Sequence, residues 1–174
     1  MSDQSFKIIA EKPSHAQAVE TLLDLAFGPG RFARTAYRLR EGVDAVPDLS
    51  FAGFHGEDLI ATIRFWPVTI GPETPALMLG PLAVDPSRRG KGWGLDMIET
   101  GLARARSLGH RLVILVGDET YYARRGFKKV PPGQLVMPGP CDPQRLLYCE
   151  LADGALGGIK GQISRKYQEH RRSP

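Results

Sequence analysis

The sequence predicts an α/β domain in three layers, helices on both faces of a mixed β-sheet, and three observations predict it. "LSFAGF" and "LIATIRFWPVTI" flank His55-Gly56-Glu57-Asp58 and read as strand, turn, strand. "ALMLGPLAV" (76–84) and "RLVILVG" (111–117) are apolar runs of strand length separated by a helical pattern, so the helix crosses over between them and the two strands are parallel. Between the first of these strands and the helix lies a glycine-rich stretch, Gly90-Lys91-Gly92-Trp93-Gly94. The order of elements is strand, helices, three strands, helix, strand, helix, two strands, which puts a hairpin-linked run beside a strand–helix–strand unit.

The elements follow in order. "FKIIA" (6–10) is a short strand. Ser14 with Gln17 three residues on has the form of a capping box, and Val19, Leu22, Leu23 and Ala26 then recur at helical spacing until Gly28-Pro29-Gly30 ends the helix. A second helix is expected from Phe32 to about Glu41. After the hairpin, Gly71-Pro72-Glu73-Thr74-Pro75 is a turn into "ALMLGPLAV". The long helix is expected from Gly92 to about Leu108, with Leu95, Ile98, Leu102 and Ala105 on its inner face. "ETYYARR" (119–125) is a short helix closed by Gly126, and "QLVMPG" and "RLLYCEL" are late strands.

A chain of 174 residues with these elements is expected to form one domain over residues 1–156, followed by a basic tail over 157–174. The formal charge of +4 is carried by that tail, which holds Lys160, Arg165, Lys166, Arg171 and Arg172 against Glu169. The remainder balances to zero, which argues against a general nucleic-acid-binding surface. The tail reads as a solvated terminus; docking to RNA is the competing reading. The N-terminus lacks the basic start and apolar run of a secretory signal, and "LVILV" is too short to span a bilayer. A cytoplasmic protein with no membrane association is the expectation. Cys141 and Cys149 have no metal-ligand spacing and read as reduced thiols in or near the late strands, with a bridge between them as the alternative.

The glycine stretch has a physical rationale. The first turn of a helix presents unpaired N–H groups and the positive end of its dipole, a natural anion seat. Glycines let a phosphate reach the backbone, and Arg88, Arg89 and Lys91 add mobile positive charge. The combination suits a pyrophosphate. It is not the dinucleotide fingerprint, because counting from Gly90 the sixth position is Leu95, and no Gly-Lys-Ser/Thr closes a P-loop.

Arg89-Gly90-Lys91-Gly92-Trp93-Gly94 resembles the R/Q-x-x-G-x-G/A acyl-CoA loop of the GCN5-related N-acetyltransferases (GNAT). "LGPLAVDP" before it and "YYARRGF" after it resemble two further segments of that family, and the match covers roughly residues 76–130. The resemblance implies a sheet whose two central parallel strands splay around acetyl-CoA as co-substrate. It implies that Arg89, Gly90, Lys91, Gly92, Trp93, Gly94 and Leu95 hold the pyrophosphate, and that the pantetheine arm runs along Leu82, Ala83 and Val84. Tyr122 matches the tyrosine that protonates the departing thiolate, with Tyr121 as the competing candidate. The activity implied is transfer of an acetyl group to a primary amine by direct attack, with a small-molecule or peptide amine as acceptor and no metal. Relatives often form homodimers; the sequence leaves the oligomeric state open.

Gly80-Pro81 interrupts an otherwise apolar strand, and proline cannot donate to the ladder. A bulge there frees the Leu82 N–H to face a thioester oxygen as it gains charge; a structural bulge without a catalytic role is the alternative. The base that deprotonates the acceptor is not legible: Asp118, Glu119, Asp85, Glu73 and His55 are candidates, as is a chain of waters. Arg124, Arg125, Lys128 and Lys129 form a basic cluster that either meets CoA phosphates or is an exposed face. Trp93 is expected to pack on the sheet, whereas Arg64 and Trp66 belong to the acceptor cleft or to a sheet face. A non-catalytic CoA-binding module is the alternative to an enzyme.

Overall fold

The computed structural model describes residues 5–166. Strand β1 (Phe6–Ala10) pairs antiparallel with β2 (Phe51–His55), and β2 with β3 (Asp58–Ile70). The turn between β2 and β3 has Gly56 at φ 64°, where a residue with a Cβ is disfavoured. β3 pairs in turn with β4 (Thr74–Val84). The expected strand–helix–strand unit is present: β4 leads through the glycine stretch into α3 (Trp93–Ser107), and β5 (Leu112–Val116) returns parallel to β4. The path through the sheet is β1-β2-β3-β4-β5, then β8 (Leu146–Glu150) and β6 (Lys128–Lys129).

Helix α1 (Ala16–Phe27) lies on one face and α3 on the other, giving the three-layer α/β architecture the sequence predicts. α3 buries Met97, Ile98, Gly101, Leu102 and Ala105 at intervals of three and four, against Ile63, Phe65, Leu77, Leu79, Val113 and Leu115 of the sheet. Val19, Leu22 and Leu23 of α1 cover Ala83 on the opposite face. Along β4 the parity changes once. Leu77 and Leu79 pack toward α3 before Gly80-Pro81, and Leu82 and Val84 pack toward it afterwards. The register agrees: Phe65 faces Leu79 and Ile63 faces Leu82, so β4 carries one extra residue at this point. This is the bulge expected from Pro81, and a one-residue insertion is what exchanges the faces of a strand.

Four expectations are corrected. Ser14 does not cap α1: it sits in a 3-10 turn (Pro13–His15), where His15 Nδ1 instead accepts from the Lys12 N–H at 3.0 Å. The second helix shrinks to α2 (Thr35–Arg38), preceded by a 3-10 turn over Pro29–Ala33, because Pro29 and Gly30 hold the segment to short turns. The late strand "QLVMPG" is reduced to β7 (Leu135–Val136) and pairs with β9 (Gly161–Arg165) rather than with the path above. Part of the expected tail is therefore folded. β9 also extends the sheet beside β3, Ile163 facing Ile70, and buries Ile163 completely. The short strand β6 was not anticipated. Residues 167–174 of the tail, including Arg171 and Arg172, lie outside the described residues.

Gly101 is what lets α3 approach the sheet. A Cβ built there would lie 2.5 Å from the ring of Phe65, which is itself fully buried and has no room to retreat. Gly101→Ala gains about 1 kcal/mol of helix propensity and loses about 1–3 kcal/mol to overpacking. A net destabilisation is expected, read as a lower urea midpoint at unchanged m-value.

Candidate active site

The site begins where two strands part. β4 and β5 pair only through Leu77 with Val113 and Met78 with Ile114. Beyond that point β4 stays with β3 up to Val84, and β5 stays with β8 up to Val116. The two halves of the sheet diverge from there to their ends. The Asp85 N–H donates to Ile60 O at 2.7 Å, which fixes the ladder after the bulge. Because donors alternate sides along a strand, Ala83 also turns its N–H toward β3, whereas Leu82 and Val84 turn theirs toward the gap. Ala83 thus presents neither its amide nor its side chain to the gap, since the latter lies under α1. Leu82 and Val84 present both N–H and C=O there.

A cavity of about 590 Å³ opens at the mouth of this gap. Its walls are Leu79–Leu82 of β4, Val116–Asp118 after β5, Tyr122, the segment from Arg31 to Arg40, and the stretch around Cys141 and Arg145. Tyr122 belongs to helix α4 (Glu119–Tyr122), which Asp118 caps by accepting from the Thr120 N–H at 3.1 Å. Its ring lies against Gly117, where a Cβ would come within 2.5 Å, and edge-on to Phe127 at 5.8 Å. Burial pushes the Tyr122 phenol well above its ordinary pKa. The neighbouring Tyr121 adds to this and Arg145 opposes it.

The glycine stretch lies outside the cavity walls but is joined to them through side chains. Gly92 is the N-cap of α3 at φ 79°, with no side-chain hydrogen bond capping it, and Gly90 stands at φ 90°. Neither has an atom within 4 Å of where a Cβ would be, and the N–H groups of Trp93, Gly94 and Leu95 have no hydrogen-bond acceptor among the described residues. Gly94 is different, for a Cβ there would strike the Tyr121 hydroxyl and lie 3.5 Å from Val84 Cγ2. Tyr121 in turn meets Tyr122 edge-on at 5.0 Å. Val84, Gly94 and the two tyrosines form a continuous wall from the helix terminus to the cavity.

The family model described as the acetyltransferase (GNAT) family matches residues 16–129. The chain belongs to the GNAT family. It is 30% identical over 165 residues to the uncharacterized N-acetyltransferase YhbS of Escherichia coli K12, covering 94% of this chain and 96% of that protein. It is 33% identical to the E. coli K12 protein YjhQ, also an uncharacterized N-acetyltransferase, over 66% of this chain and 65% of that one. The crystal structure of E. coli YhbS in complex with CoA superposes with a TM-score of 0.79 at 27% identity, covering 92% of this chain and 89% of that one. A Brucella melitensis GNAT acetyltransferase in complex with acetyl-CoA superposes at 0.62 with 29% identity, over 83% and 95% of the two chains. This GNAT protein is therefore an acetyltransferase with acetyl-CoA as co-substrate, and its parted strands are the family's sheet.

Of the residues singled out in the sequence, Leu82 and Tyr122 line the cavity, and Val84, Gly94 and Leu95 adjoin it in the core beneath α3. Arg89, Gly90, Lys91 and Gly92 are exposed at the helix terminus. Arg88 is predicted by the sequence to be mobile, and the structure corrects this. It donates to His55 Nδ1 at 2.9 Å and to Asp58 at 2.8 Å, tying the loop to the β2–β3 turn. Trp93 packs on the sheet as expected, stacked on Phe6 at 4.8 Å and tilted against His55 at 5.2 Å. Arg64 is engaged by Glu11 at 3.1 and 2.6 Å, and the Trp66 indole donates to Gly80 O at 2.6 Å, which ties it to the bulge. In the basic cluster, Lys129 pairs with Glu119 at 3.0 Å and Arg125 with Glu99 at 3.6 Å.

The candidate bases are mostly committed elsewhere. Glu119 is paired as above. Asp85 accepts from both Ser87 N–H and Oγ, which hold its carboxyl below the usual range. His55 is held by Arg88, and Glu73 lies in the turn at the opposite end of β4. Asp118 alone among them lines the cavity, and its carboxylate is the α4 cap.

The sequence reading passed over the cavity's arginines. Arg31, Arg34, Arg38 and Arg40 fall in "RFARTAYRLR", ten residues without an acid, and that run was the available signal. Arg31 is 3% exposed and neutralised by Glu20 at 3.0 Å and by Asp24. Arg40 has no acid partner among the described residues: its Nε is buried without a hydrogen bond, and its guanidinium packs over Tyr37 at 4.9 Å and Trp66 at 5.8 Å. Burial pushes its pKa down to about 10, the charge of Arg64 acting in the same direction and Tyr37 against it.

Gly92 and Gly133 make a controlled comparison, since both have positive φ and open space around them. Valine at either position carries a backbone cost of about 1–2 kcal/mol. Gly92→Val is expected to weaken acetyl-CoA binding about tenfold or more, because the branched side chain stands over the first-turn amides. Gly133→Val is expected to leave it intact, both read by calorimetry.

Proposed function

We propose that this protein transfers the acetyl group of acetyl-CoA to a primary amine by direct attack, with both substrates bound together. The observation that carries this reading is the gap beside Leu82 and Val84, whose unpaired backbone groups lead from an open helix terminus into a cavity large enough for a small acceptor. The residues present fit the co-substrate. An uncapped α3 terminus with exposed Arg89 and Lys91 suits a pyrophosphate, and a strand edge with alternate amides free suits an amide-bearing arm lying along it. Acetyl-CoA supplies an activated acyl group as a thioester.

The chain's own residues supply the rest. The Leu82 N–H, freed by the bulge, donates toward the thioester oxygen as negative charge develops there. The Tyr122 phenol stays neutral because burial raises its pKa, and it donates a hydrogen bond to the sulfur as the C–S bond breaks. Complete proton transfer from this phenol is uphill: a thiol pKa of about 8.5 against a phenol pKa of about 10 already costs about 2 kcal/mol, and burial enlarges the gap. Tyr122 thus stabilises the thiolate, which takes its proton from solvent. With Asp118 acting as a cap, the acceptor's ammonium gives its proton to water, helped by the positive cavity, which disfavours the charged amine.

Thiol release across a panel of primary amines tests the reading. Acetyl-CoA binding with no release for any of them overturns it in favour of a non-catalytic CoA-binding module. Tyr122→Phe is expected to lower kcat about ten- to a hundredfold, at or below the low end of acid–base effects, with acetyl-CoA affinity retained. Since the folded pKa of Tyr122 is raised, its donor form persists to higher pH. The wild-type rate is expected to climb with amine deprotonation through pH 9 without turning down, and a stopped pH series on thiol release checks this.

A further inference from the structure

The cavity walls carry more positive charge than the co-substrate and the reacting groups account for. Arg34, Arg38, Arg40 and Arg145 all line them, and none forms a salt bridge among the described residues. The acids on the same walls, Asp118 and Asp142, are turned to cap the turns that follow them, accepting from Thr120 N–H at 3.1 Å and Gln144 N–H at 2.9 Å. Arg31 needs no ligand, being neutralised by Glu20 and Asp24.

Arg40 is the sharpest case. A guanidinium is a five-donor group, and here one donor is buried with no acceptor. A desolvated guanidinium donor without an acceptor is costly, and the half-buried Arg40 on the cavity wall is open to an anion that offsets that cost. The Arg40 Nη2 stands 2.7 Å from where a Gly80 Cβ would be, and Gly80 has φ 135°, a conformation that favours glycine. Leu82 follows two residues later, at most about 7 Å along an extended chain. A guanidinium that close to the reacting centre touches the acceptor, not the far end of the co-substrate, because residues 89–95 do not line this cavity.

We infer that the acceptor is a small primary amine that also carries an anionic group, a carboxylate or a phosphate, which Arg40 binds with help from Arg34 and Arg145. The anion and the amine are separated by about two to four carbon atoms, matching the distance from the Arg40 head to Leu82. Polycationic amines are excluded by the same charges. The inference rests on the acetyl-transfer reading of this cavity and adds the substrate class to it.

The test compares matched amines on the full chain with acetyl-CoA: β-alanine against β-alaninamide, 2-aminoethyl phosphate against ethanolamine, and spermidine as the cation. The anionic member of at least one pair is expected to show kcat/KM about tenfold or more above its neutral partner, mostly through KM, with spermidine the poorest. The two pairs separate carboxylate from phosphate recognition. Arg40→Gln is expected to collapse the anionic-to-neutral ratio toward one and Arg40→Lys to restore part of it, with acetyl-CoA affinity retained in both. Preference for neutral or cationic amines, a ratio that survives Arg40→Gln, or an equal loss of acetyl-CoA binding overturns the inference while leaving acetyl transfer standing. Should no amine release thiol, calorimetry of N-acetyl-β-alanine against N-acetyl-β-alaninamide on the CoA-loaded protein decides it separately. Arg40-dependent selectivity for the anion supports the inference even as the transferase reading fails, and equal or absent binding of both overturns it. If Arg40→Gln does not fold, the exposed Arg34→Gln and Arg145→Gln carry the same expectation at smaller magnitude.

Discussion

The site depends on one interruption, the end of hydrogen bonding between β4 and β5 after Met78 and Ile114. Parallel strands buried between two helical layers normally pair along their length, because an unpaired buried backbone group is costly. Here each strand is anchored on its outer side, β4 to β3 on both sides of the bulge and β5 to β8 through all five of its residues. The core beneath α3 spans the gap, with Leu79 and Leu82 from one strand and Leu115 from the other in a single cluster. Neither strand can swing across to close the gap without surrendering those contacts. The backbone groups of Leu82 and Val84 therefore stay free on the gap side, as the proposed binding of an amide-bearing arm requires.

The bulge at Gly80-Pro81 does two things at once. It moves Leu82 and Val84 onto the α3 side, where Leu77 and Leu79 already lie, so the apolar face continues through the irregularity. It also leaves room at Gly80 for Arg40, while Trp66 holds the Gly80 carbonyl from the side. In the proposed reaction, this one interrupted strand sets the thioester end and the acceptor end of the site in a fixed relation.

Much of this was legible in the sequence, for local reasons. The β2–β3 hairpin, β4, α3 and β5 each announce themselves by periodicity and turn residues, and Pro81 inside "ALMLGPLAV" identified the bulge. What failed was non-local. Gly161–Arg165 has modest apolar content and became a strand only because the outer edge of β3 is vacant at Val68–Ile70. Ser14 has the sequence of a cap, but Pro13 begins the turn one residue earlier and passes the role to His15. The arginines of residues 31–40 balance acids elsewhere in the count of charges. That one is neutralised and another is not depends on where Glu20, Asp24 and Gly80 lie in space.

The same arginines bear on the chemistry as well as on selection. An ammonium cannot attack a thioester, and the two carboxylates on the cavity walls, Asp118 and Asp142, each cap a turn by accepting a backbone N–H. An arginine about 8 Å away, at an effective dielectric constant of about 20, disfavours the ammonium by about 2 kcal/mol, enough to raise the neutral fraction roughly thirtyfold. An anionic acceptor offsets part of this field on binding Arg40, but Arg34, Arg38 and Arg145 form no salt bridge among the described residues either and keep the cavity positive. Under the proposed reaction, a strong base would be superfluous and even harmful, since a free carboxylate here would pair with Arg40 and occupy the place the acceptor's anion needs. The capped postures of Asp118 and Asp142 keep both acids out of that place.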